Sequence, residues 1–395
     1  MQMKHTHQSP LQARANNLCN SPAFRDVIAR HMGVPLQNSM ATPLNLTIHP
    51  NDQMLDHSLR HFGQAGPAVS QYFGVALEQY RAADQILKTF FPDLTHVAIL
   101  DFACGYGRML RFLAHAIPPT QIWASDIQRD AVDFVSTQFA VHGVYSEADP
   151  SKFAPERKFD FIWVASLFSH LPASLFDDWL ARLSALLTND GVLCFSVHDE
   201  CLLPNERAMP KNGILFVPES ENSELDRHAY GTTHVSEFFV RQAIERAFGK
   251  SHPYFRIKRG LAYQQDIYVV AKNPLRSMSA LDIFRWGPWG WVDVRRILEG
   301  GALQLSGWAT SFDEGGIDRV FISFDGQAHE CQTVVERRDV EAVFQDTRLR
   351  WSGWELTQAR KVGGNIPFVE VSAQAHNGER ALLYAGPMIE TNDRT

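Results

Sequence analysis

The stretch Val97-Ala-Ile-Leu-Asp101-Phe-Ala103-Cys-Gly105-Tyr-Gly107-Arg108 decides the fold of this chain. Its apolar half can bury as a central strand, it ends on an acid, and it enters a turn of small residues. Met109, Leu110, Phe112 and Leu113 then start a helical period at once. Glycines at such a strand-to-helix turn let a ligand approach the backbone and leave N–H groups pointing at it. The turn predicts a cofactor site, and the rest of the chain has to say which cofactor.

Outward from the turn, strand and helix patterns alternate. Strand-like runs fall at 97–101, 121–125, 161–165 and 192–197, and helical periods at 108–117, 128–140, 172–187 and 236–247. This alternation predicts an α/β domain with a mostly parallel sheet covered by helices. Two further strands, about 254–259 and 266–271, suit a closing antiparallel hairpin. On the N-terminal side, residues 1–20 read as a disordered polar tail. Ser21-Pro22 starts a helix, residues 33–66 read as loop, and Phe73, Leu77, Tyr80, Ala83 and Leu87 mark a second helix.

Beyond Asn273-Pro274 the helical period fades. Phe284-Arg-Trp286-Gly-Pro-Trp289-Gly-Trp291 reads as a Trp-rich linker, followed by alternating runs such as Val320-Phe-Ile-Ser-Phe324 and Phe368-Val-Glu-Val-Ser-Ala373. Asp325-Gly326 and Asn377-Gly378 suit hairpin turns. The expected division is a tail and helix over 1–55, an α/β domain over 56–275, a linker over 276–291, and a smaller all-β, immunoglobulin-like sandwich over 292–395.

Three ligands use turns of this kind. A dinucleotide site wants a third glycine where Leu110 stands, and a P-loop wants Gly-Lys-Ser/Thr, which is missing. The residues Asp101-Phe-Ala103-Cys-Gly105-Tyr-Gly107 instead resemble the first motif of the class I S-adenosylmethionine-dependent methyltransferases, with Ala103 in place of the motif's first glycine. Ile122-Trp-Ala-Ser-Asp126, Lys158-Phe-Asp160-Phe-Ile-Trp-Val164 and Asn189-Asp-Gly191-Val-Leu-Cys-Phe195 resemble the strands that follow in that family.

The resemblance implies a Rossmann-like, seven-stranded methyltransferase sheet and S-adenosylmethionine as cofactor. It implies cofactor contacts from Asp101, Ala103, Cys104, Gly105, Gly107, Asp126, Ile127, Ser166 and Leu167. Asp126 would accept the ribose hydroxyls; it also suits a cap for helix 128–140, and the two roles are compatible. Glu147 and Asp149 both fit the acid or polar group near the adenine. Cys104 reads as small turn filler.

Bulk properties narrow the partners. At 395 residues, 45% hydrophobic and 21% charged, the chain reads as an ordinary multi-domain globular protein. A net charge of −7 without a basic run disfavours nucleic acid. The N-terminus is polar, no long uncharged apolar run occurs, and the five scattered cysteines show no paired spacing; a cytoplasmic protein with no membrane partner and no metal is expected. Asp177 and Asp178 read as a solvated helix face.

The sulfonium methyl is already activated, so alignment of donor and acceptor is the main demand. An alcohol acceptor must also lose a proton. His198, at the end of the fifth strand, is the expected base, and His170, just after the fourth, the second candidate. His228-Ala-Tyr230-Gly-Thr-Thr233-His234 and Tyr263-Gln264-Gln265-Asp266 resemble stretches of a bacterial methyltransferase group often found near glycosyltransferases. They imply Tyr230 and Asp266 as acceptor-binding groups under a lid at about 199–230. The expected function is O-methylation of a sugar, glycan or other small-molecule hydroxyl. A nitrogen or carboxylate acceptor stays open, as does a degenerate, non-catalytic scaffold whose sandwich binds a glycan or protein. The sandwich is also a candidate for homodimerisation.

Overall fold

Four helices open the chain: α1 (Pro10–Asn20), α2 (Pro22–His31), α3 (Gln53–Phe62) and α4 (Ala65–Phe90). The computed structural model describes residues 9–33, 44–204, 206–219, 226–360 and 366–388. Two helices correct the sequence reading. Within the expected tail, α1 starts on Ser9-Pro10 just as α2 starts on Ser21-Pro22, each serine accepting a backbone N–H two or three residues into the helix. Residues 1–8 of that expected tail lie outside the described residues. Within the expected loop, α3 is capped by Asp52, which takes the N–H groups of Met54 and Leu55, and it ends on Gly63 at φ 62°. Contacts group the chain into two units, residues 1–77 with 285–395 and residues 78–284.

The second unit holds the α/β sheet. Its strands are β1 (Ile99–Phe102), β2 (Ile122–Asp126), β3 (His142–Tyr145), β4 (Phe159–Val164), β5 (Leu187–Asp199), β6 (Ile214–Val217), β7 (Thr232–Val235), β8 (Phe255–Leu261) and β9 (Gln265–Ala271). Between them run α5 (Leu110–Ala116), α6 (Arg129–Phe139), α7 (Ala173–Ala185) and α8 (Glu237–Phe248). The main order is β3-β2-β1-β4-β5-β9-β8, parallel from β3 to β5 and with β9 antiparallel between β5 and β8. The chain steps outward from β1 to β3 and then returns to β4. The crevice beyond the carboxyl ends of β1 and β4 is thus the switch point where such sheets bind ligands.

Two strands exceed the expected seven. Residues of the expected lid segment form β6, which pairs antiparallel with β7, and β7 pairs in parallel with the last residues of β5, His198 opposite His234 and Asp199 opposite Val235. The β-branched run Thr232-Thr-His-Val235 supplies this strand, which sequence reading took only as the approach to α8. Residues 205 and 220–225 of the expected lid lie outside the described residues.

In the first unit, strands β10 (Pro288–Ile297), β11 (Leu303–Ser311), β12 (Arg319–Phe324), β13 (Gln327–Cys331), β14 (Gly353–Gln358), β15 (Phe368–Gln374) and β16 (Arg380–Pro387), with helix α9 (Arg338–Phe344), make two antiparallel sheets, β10-β11-β14 and β13-β12-β15-β16. Inward residues of both, among them Leu303, Leu305, Val320, Ile322, Trp354 and Val371, share one core, so the unit is a sandwich. Trp289 and Trp291 lie in β10 rather than in a linker. Just before that strand, Asp313 takes the N–H groups of Trp286 (3.1 Å) and Gly287 (2.8 Å). Within the same unit, Ser70 on α4 bonds the backbone of Ala385 on β16 in both directions, and Glu370 on β15 pairs with Arg30 and His31 on α2.

Candidate cofactor and acceptor site

The turn after β1 is bent by three left-handed residues, Ala103 (φ 59°), Gly105 (φ 52°) and Gly107 (φ 74°). Cys104 donates its N–H to Ser125 (3.0 Å), and Gly107 donates to Cys104 (3.0 Å). Ala103 holds the backbone angle that a glycine would take there, so the substitution leaves the turn's shape intact. The two glycines do different work. A Cβ at Gly107 would stand 2.7 Å from Phe139 and 2.9 Å from Val135, so this glycine lets α6 close on the turn. A Cβ at Gly105 would meet nothing within 4 Å, so this face of the turn is open to a ligand.

Asp126 ties the turn to β2. One carboxylate oxygen accepts the N–H of Gly105 (2.9 Å), the other that of Gln128 (2.9 Å). The Ile127 backbone also bonds this carboxylate, and its oxygens still keep acceptor capacity for ribose hydroxyls. Gln128, not Asp126, occupies the N-cap of α6. Ile127 is 41% exposed beside this carboxylate, an apolar edge next to a polar one.

The site's acids are held against ionisation. Burial, with Asp126 nearby, pushes the Asp101 carboxyl up to about 8, and burial also raises Asp126 despite its N–H partners. Burial, Asp126 and Asp101 push the Cys104 thiol well above its usual range, which fits a filler and not a nucleophile. Glu147 faces Arg129 at 3.8 Å, while Asp149 caps the turn at Ser151 (3.0 Å). Among the described residues no cluster of His, Cys, Asp and Glu is arranged to hold a metal.

Across the crevice, Ser166 follows β4 in a left-handed conformation (φ 58°) and donates its N–H to Ser196 Oγ (2.8 Å). Ser196 donates to Gln265 Oε1 (2.7 Å), and Gln265 Nε2 reaches both Ser166 Oγ (2.8 Å) and His198 Nε2 (3.2 Å). The carbonyl of Leu167 accepts the N–H of His170 (2.9 Å). His170 Nδ1 lies 2.7 Å from the Gly231 carbonyl, and its ring stacks on Tyr230 at 4.6 Å and 15°. The His198 ring is 6.3 Å from His170 and 5.3 Å from His234.

The structure thus gathers Ser166, His170, His198 and Tyr230, and it adds Ser196, His234 and Gln265, which sequence reading did not single out. His234 and Gln265 stood inside quoted segments, but only the pairing of β7 and β9 with β5 puts them beside His198.

Two expectations change. Asp266 is not an acceptor group: it is 2% exposed, its oxygens taken by the Arg259 N–H (2.7 Å) and Arg256 Nε (2.7 Å). Arg256 also clamps Asp199 (2.5 Å) and Glu237 (2.7 Å), locking the ends of β5 and β9. His198 is a poor base, because burial and the neighbouring His170 and His234 push it down to about 4, and its Nε2 faces the Gln265 amide.

Residues 76–251 match the model of a methyltransferase domain. No curated protein matches the chain. Among solved structures, the chain is similar to a Burkholderia thailandensis 1,6-didemethyltoxoflavin N1-methyltransferase with bound S-adenosylhomocysteine (18% identity, 49% of this chain and 78% of that one, TM-score 0.34). It is also similar to the magnesium protoporphyrin IX methyltransferase of Synechocystis (13%, 66% and 99%, 0.36) and to a plantazolicin methyltransferase (12%, 67% and 100%, 0.38). With the family match laid over the strand order and the cofactor turn, residues 76–251 of this chain form a methyltransferase domain of the S-adenosylmethionine-dependent kind.

Proposed function

We propose that the protein methylates an oxygen of a small molecule or sugar, with His170 as the base. The observation that carries this reading is the 2.7 Å contact from His170 Nδ1 to the Gly231 carbonyl. A carbonyl only accepts, so Nδ1 carries the hydrogen and the lone pair sits on Nε2. Stacking on Tyr230 holds the ring plane. The cofactor supplies a methyl group already activated on a sulfonium. On the protein's side, residues 103–107 offer the open backbone at Gly105, Asp126 takes the ribose hydroxyls, and Asp101 takes the cofactor's ammonium. An acceptor hydroxyl would pass its proton to His170 Nε2 as its oxygen took the methyl group and the sulfur–methyl bond of the cofactor broke. Tyr230 borders the acceptor.

The five free cysteines suit a reducing, cytoplasmic setting, and among the described residues no helix is long and apolar enough to cross a membrane. We assign the sandwich, together with residues 1–77 that group with it, to a domain distinct from the methyltransferase domain. Incubation with methyl-labelled cofactor and a fractionated lysate, followed by identification of the product, tests the reading. An alkali-stable methyl ether supports it, whereas label on nitrogen or as an alkali-labile ester overturns the oxygen assignment.

A further inference from the structure

We propose that Gln265 is a positioning residue that locks His198 as the Nδ1–H tautomer, with its Nε2 lone pair turned into the protein, so that His198 presents no lone pair to an acceptor. This rests on the proposed oxygen chemistry for its consequence, but the lock itself stands on hydrogen-bond direction.

The chain of donors fixes the amide. Ser196 Oγ accepts the Ser166 N–H, so its own hydrogen must find another acceptor, and Gln265 Oε1 stands 2.7 Å away. Ser196 is 2% exposed, and turning the amide over would bury its hydroxyl hydrogen with nothing to accept it. The oxygen of Gln265 therefore faces Ser196, and its two N–H groups face Ser166 Oγ and His198 Nε2. A nitrogen that receives an N–H must carry a lone pair, so the hydrogen of the neutral imidazole goes to Nδ1. That atom is buried without a close partner, and the Thr233 backbone, whose hydrogen bond favours a proton on the ring, offers that hydrogen its acceptor. Neither nitrogen of His198 is left to accept a substrate proton.

The same amide props the turn under the cofactor. Ser166 is held at φ 58°, a conformation costly for a non-glycine residue, by the Ser196 contact on its N–H and the Gln265 contact on its hydroxyl. Gln265 thus joins the ledge after β4 to the ring ending β5 through one planar group. Arg256, which fixes Asp199 and Asp266 next in sequence to His198 and Gln265, keeps the two strand ends in register.

Long-range proton–nitrogen NMR of the full chain with 15N-labelled histidine tests this, since a lone-pair nitrogen and a protonated one resonate far apart. The expected spectrum at pH 7 shows His198 neutral, with the hydrogen on Nδ1. In Gln265→Glu a carboxylate faces Nε2, so the hydrogen moves to Nε2 and the titration midpoint of His198 rises by at least about one pH unit. Wild-type His198 with its hydrogen on Nε2, or an unmoved tautomer in Gln265→Glu, would overturn the proposal. Should that variant not fold, Ser196→Ala removes the group that orients the amide, and a mixture of tautomers is expected; a single Nδ1–H form there would contradict it. Calorimetry with S-adenosylhomocysteine on the same samples separates the readings. Failure of the wild-type chain to bind it counts against the cofactor site and leaves the tautomer result standing.

Discussion

Gly105 and Asp126 are joined by a 2.9 Å hydrogen bond, so the turn after β1 and the acid ending β2 form one unit. The carboxylate that shapes the turn is the same one proposed to take the ribose hydroxyls. Order in the turn and affinity for the cofactor are therefore coupled through a single side chain.

The neutral state of Asp101 predicts a pH dependence. Its folded value is about 8, against roughly 4 in an unfolded chain. Between these values the folded state binds a proton that the unfolded state has released, so stability falls as pH rises from about 4 to 8. Asp101→Asn removes that fall: the variant is expected to melt higher than the parent at pH 8, by at least the 2–4 °C that about 1 kcal/mol gives in a unit of this size, and to differ less at pH 5. Affinity for the ammonium-bearing cofactor should rise from pH 6 to pH 8 in the parent and stay flat in the variant. Melts and calorimetry across that range check both.

Ala103 sits at φ 59°, where a Cβ costs about 1–2 kcal/mol and a glycine costs only its extra freedom in the unfolded chain. Ala103→Gly is expected to stabilise the protein by about 0.5–1 kcal/mol. Cofactor affinity should stay within about threefold, because the turn already has the shape a glycine would take. Urea unfolding and calorimetry read the two quantities.

The two crevice histidines should separate in turnover. His170→Asn is expected to lower label transfer to the lysate acceptor by about 10²–10⁴-fold, the usual worth of a positioned base. His198→Asn keeps a polar group facing Gln265 and should cost less than tenfold. Neither change should alter S-adenosylhomocysteine affinity by more than about threefold. An equal loss in both variants would show that the base is not His170 alone.

Much of the sheet was legible because buried parallel strands write themselves as apolar runs: β1, β2, β4 and β5 were read from Val97 to Val197 with ends off by a few residues. The capped helices α1 and α3 were missed although Ser9-Pro10 and Asp52 announce them, because Asn, His and Arg dilute their apolar stripes. The cofactor turn was legible since its chemistry is local. The acceptor side was not. Gln265 reaches His198 only because β9 inserts antiparallel beside β5, and Asp266 is withdrawn from the crevice by Arg256, ten residues before it in sequence. Strand pairing of that kind leaves no mark in the local sequence pattern.

The cofactor is expected on the turn opened by Gly105, with its sugar on Asp126. Calorimetric titration of S-adenosylhomocysteine into the parent chain and into folded Asp126→Ala tests it most directly. One site is expected in the parent and at least a tenfold weaker one in the variant. Equal affinity in both would contradict it.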